Sequence, residues 1–291
     1  MKNLTGRIYQ HEFEQKQLEP TDAVSTGFPQ IDCLIRDEGG GRGLAKGHLA
    51  ILGANPGYAK SLIATNMAYH ALKAGESVGY CSLEMSVNQM MSRFMSIASG
   101  YPVAKLERGT FSPQTYALAR QKVEGLPPLY CPDKVSTAYE DTVDFIKECH
   151  DLGCEWFVVD YVQLCAIGGS DQVTRAIEMV TQDLRAFCVN EGVTCVLLSQ
   201  WNRTTSSNYD ATPTAQGLWG SMVLEASADC IWGVDHSRFE RTADALKSRS
   251  FLAVLKNRHG PSGISVPIEM DFTTLRIRDV ILEEEPYDWP K

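Results

Sequence analysis

A stretch of nine residues combines the residue types that bind nucleotide phosphates. It runs from Gly53 to Ser61, reads GANPGYAKS and follows an apolar segment. In a loop of the pattern GxxxxGK(S/T), backbone N–H groups and a helix N-terminus surround the phosphates, the lysine reaches the β- and γ-oxygens and the hydroxyl joins Mg²⁺. We predict that a nucleotide is held here by Asn55, Pro56, Gly57, Tyr58, Ala59, Lys60 and Ser61.

The match to this pattern is imperfect, because Ala54 and Ala59 stand at its two glycine positions. Gly57 supplies some of the missing flexibility. An alanine fits the second position easily if its φ angle is negative there, and is strained if φ must be positive. A strand–turn–helix that carries Lys-Ser without binding a nucleotide remains the alternative interpretation.

Three polar side chains, Glu84, Asp160 and Gln200, directly follow or end runs of apolar residues. Ligands of an α/β sheet bind at the carboxyl ends of its strands, where these side chains would lie. There Asp160 would hold Mg²⁺ through its water shell, and Glu84 would act as general base on the attacking water. Gln200 would sense the γ-phosphate. The alternative for Glu84 is charge pairing with a helix N-terminus that Ser82 or Ser86 caps, and the alternative for Asp160 is a cap for the following turn. For Gln200 the alternative is a polar loop start.

Apolar strands and amphipathic helices alternate along the chain from His48 to Gln200. Strands are predicted at 48–52, 77–83, 129–131, 156–159 and 193–198, and helices at 61–72, 87–98, 114–123, 139–149 and 173–188. This alternation predicts an α/β fold, a mostly parallel sheet with helices on both faces. Strands without helices follow at 230–232, 251–255, 263–270 and 275–277, which predicts an antiparallel edge extension. The polar residues 235–250 are predicted to form a loop or a short exposed helix.

Composition limits the function classes further. The 291 residues carry a net charge of −9, which argues against a protein that coats nucleic acid with a basic surface but permits a positive central channel in a ring. No apolar run is long enough to cross a membrane, and the first twenty residues lack the apolar core of a signal peptide. Nine scattered cysteines without a CxxC pair favour a reducing compartment, so we expect a cytoplasmic protein.

Four further motifs occur in a fixed order along the chain. They are SLEMS at 82–86, VDYVQL at 159–164, LSQWNR at 198–203 and KNRHGP at 256–261. Together with STGF at 25–28, this set resembles the C-terminal RecA-like motor domain of DnaB-type replicative helicases from bacteria, phages and plasmids. The resemblance covers about residues 24–279 and implies an ATP- and Mg²⁺-dependent ATPase and DNA helicase.

The resemblance also implies roles for individual residues. Lys60 and Ser61 would bind the phosphates and Mg²⁺, Asp160 would coordinate the metal, and Glu84 would be the catalytic base. Gln200 would couple the nucleotide to a loop that contacts DNA.

Three further cations receive roles only through the resemblance. Arg93 would contact phosphate, with a surface ion pair as the alternative. Lys256 and Arg258 would act in trans on the γ-phosphate bound by a neighbouring subunit, and a solvated basic pair is the alternative. Their alternating spacing at a strand end points both side chains to one face. Action in trans implies a homo-oligomer, which in this family is a hexameric ring.

The chain departs from the family where DNA contacts are expected. The family presents a short Arg-Glu-Ser-Gly-like stretch to single-stranded DNA, whereas this chain has Trp219 and Ser221 at that place. The preceding segment, 202–216, contains Arg203 as its single cation. We predict that Arg203, Trp219 and Ser221 contact DNA, with base stacking by Trp219 or Tyr209 in place of ionic contacts. Packing within the protein is the alternative for both aromatic residues.

The preferred interpretation is an ATPase motor that translocates on single-stranded DNA and unwinds duplex. It consists of an arm at 1–24, the motor at 25–280 and an acidic tail at 281–291. So short an arm would leave out the family's N-terminal domain, and a primase or loader partner stays open. One alternative is a RecA-like ATPase that switches protein partners without unwinding DNA, of regulator or loader type. Another is a module that binds nucleotide without turnover, against which Glu84, Asp160 and Gln200 argue.

Overall fold

Nine strands form one sheet in the computed structural model, which describes residues 23–35, 43–165, 170–201, 213–218, 221–241 and 247–280. The strands are β1 (Leu49–Ala54), β2 (Val78–Ser82), β3 (Leu129–Tyr130), β4 (Trp156–Asp160), β5 (Thr194–Gln200), β6 (Cys230–Arg241), β7 (Lys247–Asn257), β8 (Ile264–Asp271) and β9 (Arg276–Asp279). Their order in the sheet is β3-β2-β4-β5-β1-β6-β7-β8-β9. Strands β3 to β6 of that order pair in parallel, and β6 to β9 pair antiparallel. The predicted α/β class with an antiparallel edge is therefore confirmed.

Eight α-helices connect or flank these strands within the described residues. They are α1 (Pro29–Leu34), α2 (Lys60–Ala74), α3 (Val87–Ser99), α4 (Val103–Glu107), α5 (Pro113–Glu124), α6 (Tyr139–Asp151), α7 (Ser170–Glu191) and α8 (Ser221–Ser227). Successive side chains of a strand point to opposite faces, so Ile51 and Leu52 of β1 enter two different cores. One core contains residues of α2 and the other contains residues of α7, which makes three layers.

The ends of α3 follow from local sequence. Ser86 accepts a hydrogen bond from the Gln89 N–H, and the Gln89 side chain accepts one from the Ser86 N–H, which is a capping box. Gly100 ends the helix with φ 73°, a left-handed conformation that glycine adopts without strain. This cap fixes the start of α3 and therefore the position of Glu84 just before it.

The prediction for residues 235–250 was wrong. Strand β6 continues through residue 241 and β7 begins at residue 247, with Asp235 opposite Phe251 and Arg241 opposite Ser248. These polar ends are held by backbone pairing between two antiparallel strands, which needs no apolar alternation in the sequence. Residues 242–246 lie outside the described residues.

The predicted domain boundaries stay predictions. Of the arm at 1–24, the structure describes residues 23 and 24; Val24 is buried and pairs with Leu44. The predicted tail at 281–291 lies outside the described residues. No helix in the described ranges is long and apolar enough to cross a membrane.

Candidate nucleotide-binding site

The loop between β1 and α2 has the form that phosphate binding requires. Ala54 is the last residue of β1, and α2 begins at Lys60, so the residues between them form a tight turn before a helix N-terminus. Ala59 has φ 59° and ψ 15°, the left-handed conformation, and Gly57 has φ 80°. Ala59 is therefore strained, by about 1–2 kcal/mol for an L-residue in this region. Ala54 belongs to a strand, so its position does not require glycine.

A cavity of about 500 Å³ opens beside this loop. Its walls contain every residue predicted to bind the nucleotide, together with the predicted base and sensor: Asn55, Pro56, Gly57, Tyr58, Ala59, Lys60, Ser61, Glu84, Arg93 and Gln200. The volume lies within the range of ligand pockets, about 300–1,000 Å³. The structure thus brings these side chains together, as the strand-end argument predicts.

Sequence reasoning missed several other residues of the cavity wall. These are Leu62, Met85, Gln89, Phe272 and Leu275. Phe272 and Leu275 flank the turn between β8 and β9, which is distant in sequence from the phosphate loop. No local pattern marks them, because their position depends on how the antiparallel edge folds back over α2.

Burial dominates the electrostatics of Lys60. Desolvation lowers the pKa of its ammonium from 10.5 to about 8, although the charges of Asp160 and Glu84 act in the opposite direction. The ammonium nitrogen lies 3.9 Å from the ring centroid of Tyr161, a cation–π contact. A buried cation at a helix N-terminus is arranged to receive an anion.

Asp160 lies beneath the phosphate loop at the end of β4, with its side chain fully buried. Burial raises the pKa of this carboxyl group, while Lys60 and the hydroxyls of Ser61 and Tyr80 lower it. Tyr80 donates a hydrogen bond of 3.1 Å to Oδ2, and the buried Oδ1 receives none from the described part of the chain. Carboxylate and hydroxyl oxygens are ligands that Mg²⁺ prefers. Ser61 and Asp160 therefore fit a Mg²⁺ ion that keeps several of its waters.

The described residues contain no cluster of three or more histidine, cysteine or acidic side chains that could enclose a metal ion. Two ligands are enough for Mg²⁺, which is usually bound by one or two protein groups, waters and substrate phosphates.

Glu84 is exposed in the loop after β2 and lines the cavity. The alternative for this residue, charge pairing with a helix N-terminus that a serine caps, agrees with the contacts of its neighbours: Ser82 accepts a hydrogen bond from the Met85 N–H, and Ser86 caps α3. Glu84 thus lies both at the cavity and just before the N-terminus of α3, a position that suits a general base and charge pairing with the helix alike.

Tyr161 and Gln163, which follow Asp160 at the end of β4, connect this strand to Gln200, and sequence reasoning missed both. Gln163 donates a 2.8 Å hydrogen bond to the Ser199 hydroxyl and accepts one of 3.1 Å from the Gln200 N–H. The side chain of Gln200 interacts with the Tyr161 hydroxyl and lowers its pKa, against the larger effect of burial. The ends of β4 and β5 are thus tied together directly beside the cavity.

Lys256 and Arg258 lie at a different place from this cavity. Arg258 bonds Asp229, which precedes β6, and Asp229 exchanges hydrogen bonds with Leu49 at the start of β1. The phosphate loop follows the other end of β1, five residues further on, or about 17 Å at 3.3 Å per residue. Both side chains contact the C-terminal end of α8, so they share one face as their spacing predicts.

Residues 23–277 match the sequence profile of the DnaB-like helicase C terminal domain family, which is most of the chain. The chain belongs to this family. A probable plasmid replicative DNA helicase of Chlamydia psittaci is 30% identical over 254 residues, which are 84% of this chain and 53% of that protein. This DnaB-like chain thus spans about half the length of the curated relatives it matches.

Solved structures confirm the RecA-like fold of this DnaB-like domain. The ATPase domain of G40P superposes with a TM-score of 0.77 at 19% identity, covering 97% of this chain and all of that one. A DnaB-like replicative helicase, solved for its interactions with primase, gives a TM-score of 0.73 at 19% identity and covers 97% of this chain and 67% of that one.

The segment of the DnaB-like domain predicted to contact DNA is described only in part. Arg203, Trp219 and the alternative stacking residue Tyr209 lie outside the described residues. Ser221 is the first residue of α8, and its side chain also lies outside them. Their predicted contacts with DNA stay predictions.

Proposed function

We propose that this DnaB-like domain hydrolyses ATP with Mg²⁺ and drives translocation on single-stranded DNA and unwinding of duplex. The observation that carries the proposal is the grouping of Lys60, Glu84 and Gln200 around one cavity at the carboxyl ends of β1, β2 and β5. Asp160, buried at the end of β4, interacts with Lys60 through its charge. The names of the relatives, replicative DNA helicases of plasmids and bacteria, support the same activity.

Each residue of the cavity, and Asp160 beside Lys60, has one task in this mechanism. Backbone N–H groups of residues 57–61 and the Lys60 ammonium hold the β- and γ-phosphates. Ser61 and Asp160 would hold Mg²⁺, which supplies charge neutralisation on the phosphate oxygens when bound. Glu84 takes the proton of the water that attacks the γ-phosphate, and Gln200 hydrogen-bonds the γ-phosphate or that water.

Turnover requires a second subunit in this proposal. Lys256 and Arg258 are held near the start of β1, whereas the phosphate loop of their own chain follows the other end of this strand, a strand length of about 17 Å away. Neither side chain lines the cavity beside that loop. They would supply positive charge to the γ-phosphate of a neighbouring subunit, where such a cation accelerates phosphoryl transfer by about 10³- to 10⁵-fold. We therefore propose a homo-oligomer, with a hexameric ring as its form.

Single-stranded DNA is the proposed track, contacted by Arg203, Trp219 and Ser221. A primase or loader is a proposed partner, supported by the solved relative that interacts with primase. We propose a cytoplasmic location, where a replicative helicase would act.

ATP hydrolysis measured with and without single-stranded DNA tests the proposal. We expect Mg²⁺-dependent phosphate release that rises when an oligonucleotide is added, and displacement of a strand from a forked duplex. Lys60→Ala is the control for contaminating ATPases, because it removes the phosphate contact. Turnover indifferent to DNA, with no strand displacement, would instead support an ATPase that switches protein partners.

Mixed subunits test the action in trans. Arg258→Ala and Lys60→Ala chains each lack a different half of the shared site, so some interfaces in a mixed ring carry both intact halves. We expect activity to return on mixing. If rings demonstrably mix and activity stays absent, Arg258 does not act in trans.

A further inference from the structure

A buried carboxylate lies directly behind the two cations proposed to act in trans. The side chain of Asp229 is 1% exposed, and its Oδ1 accepts a 2.8 Å hydrogen bond from Nη1 of Arg258. Its Oδ2 accepts a 3.0 Å hydrogen bond from the Leu49 N–H and another from Arg185 of α7. Both oxygens are therefore occupied, and one is used to hold Arg258.

The C-terminal end of α8 also holds Lys256 and Arg258. Lys256 Nζ donates to the carbonyl oxygens of Glu225 and, at 2.7 Å, of Ala228. Arg258 Nη2 donates at 3.4 Å to the Ala226 carbonyl, and the Arg258 N–H donates at 2.8 Å to the Asp229 carbonyl. The unpaired carbonyls at a helix C-terminus attract cations, so this end of α8 is suited to the task.

These contacts leave donors free for a ligand. A guanidinium has five N–H donors and an ammonium has three, and the contacts above use two of each. The side chain of Arg258 is 41% exposed, so it is accessible to a ligand while Asp229 holds its Nη1. A phosphate of a neighbouring subunit can therefore be contacted without breaking the bond to Asp229.

We propose that Asp229 is a positioning residue for the trans-acting Arg258: it fixes the guanidinium in the orientation that meets the neighbour's γ-phosphate. This inference rests on the proposed trans mechanism. A long cationic side chain without such a partner samples many rotamers, and few of them point at the phosphate when the transition state forms. Arg185 balances the charge of the buried carboxylate, so the arrangement does not depend on phosphate being present.

Asp229→Asn in the full chain tests the proposal. An amide has one acceptor oxygen in place of two, so it cannot serve Leu49 and Arg258 together. We expect kcat to fall at least tenfold while the affinity for ATP in an assay of binding alone stays within twofold. Asp32→Asn is the matched control: Asp32 is also buried and bonded by Ser25 and Thr26, none of which is assigned a role in either half of the site, and we expect unchanged turnover.

Mixing experiments separate a positioning role from a structural one. If Asp229 acts through Arg258, Asp229→Asn chains regain activity with Lys60→Ala chains and not with Arg258→Ala chains. If Asp229 merely supports β1 and the phosphate loop of its own chain, the pattern is reversed, and the proposal is overturned. In the first case the double variant Asp229→Asn, Arg258→Ala turns over no more slowly than Arg258→Ala alone.

A second variant keeps the proposal testable if Asp229→Asn does not fold. Arg258→Lys retains a positive charge but loses the forked contact with Asp229 and Ala226, and we expect at least a tenfold loss of kcat. Wild-type turnover of Arg258→Lys would show that orientation is unimportant and would overturn the proposal. Failure of Arg258→Ala and Lys60→Ala chains to complement each other removes the trans mechanism itself, and the Asp229 proposal falls with it.

Discussion

The affinity for ATP should fall as pH rises through about 8, because Lys60 loses its proton there. Burial lowers the pKa of this ammonium to about 8 in the nucleotide-free protein. About 90% of the chains then carry the charge at pH 7 and about 10% at pH 9, so an affinity that needs the charged form falls roughly tenfold between them. Binding restores the charge, so close to half a proton per site should be taken up at pH 8.

Titration calorimetry with a non-hydrolysable ATP analogue measures both quantities. The proton uptake comes from repeating the titration in buffers of different ionisation enthalpy. Glu84→Gln provides a second arm: the Glu84 charge raises the pKa of Lys60, so its removal should move the loss of affinity to lower pH. Glu140→Gln, a change at an exposed residue of α6, is the matched control and should not move it.

The same shift has a consequence for stability with a defined sign. A lysine whose pKa is lowered by folding is neutral in the folded protein between pH 8 and 10.5, while the unfolded chain still binds the proton. The contribution of Lys60 to the free energy of unfolding therefore rises with pH across this window. For the binding prediction, the contradicting result is an ATP affinity that stays constant within twofold from pH 7 to 9 with no proton uptake. That result would refute the role of the Lys60 charge.

Three further predictions concern the phosphate loop, the base and the DNA segment. Ala59→Gly should raise the free energy of unfolding of the nucleotide-free protein by about 0.5 kcal/mol, because the relief of a left-handed alanine outweighs the added entropy of the unfolded chain. Gly57→Ala adds a methyl group that meets no atom within 4 Å, but it places an alanine at a positive φ, so it should lower the free energy of unfolding by a similar amount. Urea denaturation measures both changes. Glu84→Gln should bind ATP normally at about pH 6.5 or below, where Lys60 stays charged, and lower turnover by about 10²- to 10⁴-fold. Trp219→Ala should weaken single-strand binding by roughly 1–3 kcal/mol per stacked base without changing basal ATP turnover. Single-strand binding by the unmutated ring should depend only weakly on salt concentration, because few phosphates are neutralised.

Each of these predictions has an outcome that contradicts it. A lower stability of Ala59→Gly than of the parent would mean that the methyl packing outweighs the strain. Parental turnover by Glu84→Gln would remove Glu84 from the proton transfer. If Trp219→Ala disrupts the ring or the fold without a separable DNA defect, Trp219 packs within the protein.

The sheet and the grouping at its carboxyl edge could be predicted because both follow from local patterns. Continuous apolar runs mark β1, β2, β4 and β5, and the geometry of a parallel sheet places the residues that follow these strands at one edge. Glu84 and Gln200 therefore meet in the cavity although 116 positions separate them.

What sequence reasoning missed depends on contacts between distant segments. The two hydrogen bonds that join Gln163 to Ser199 and Gln200 form because β4 pairs with β5, and no spacing along the chain predicts them. The hairpin of β6 and β7 was misjudged because its outer part is polar and is held by backbone bonds. Residue type alone also left the φ angle of Ala59 open, and the structure gives it the strained value.

The separation of the phosphate loop from Arg258 along β1 gives any assembly of this chain a direction. Two subunits related by a two-fold axis meet through identical surfaces, so completing a site in such a pair would require both halves to lie in one patch. Head-to-tail contact completes one site for each junction, so an open row of n subunits has n−1 complete sites and two idle ends. Under the trans mechanism, turnover per subunit therefore climbs with row length and reaches its maximum when the last junction closes.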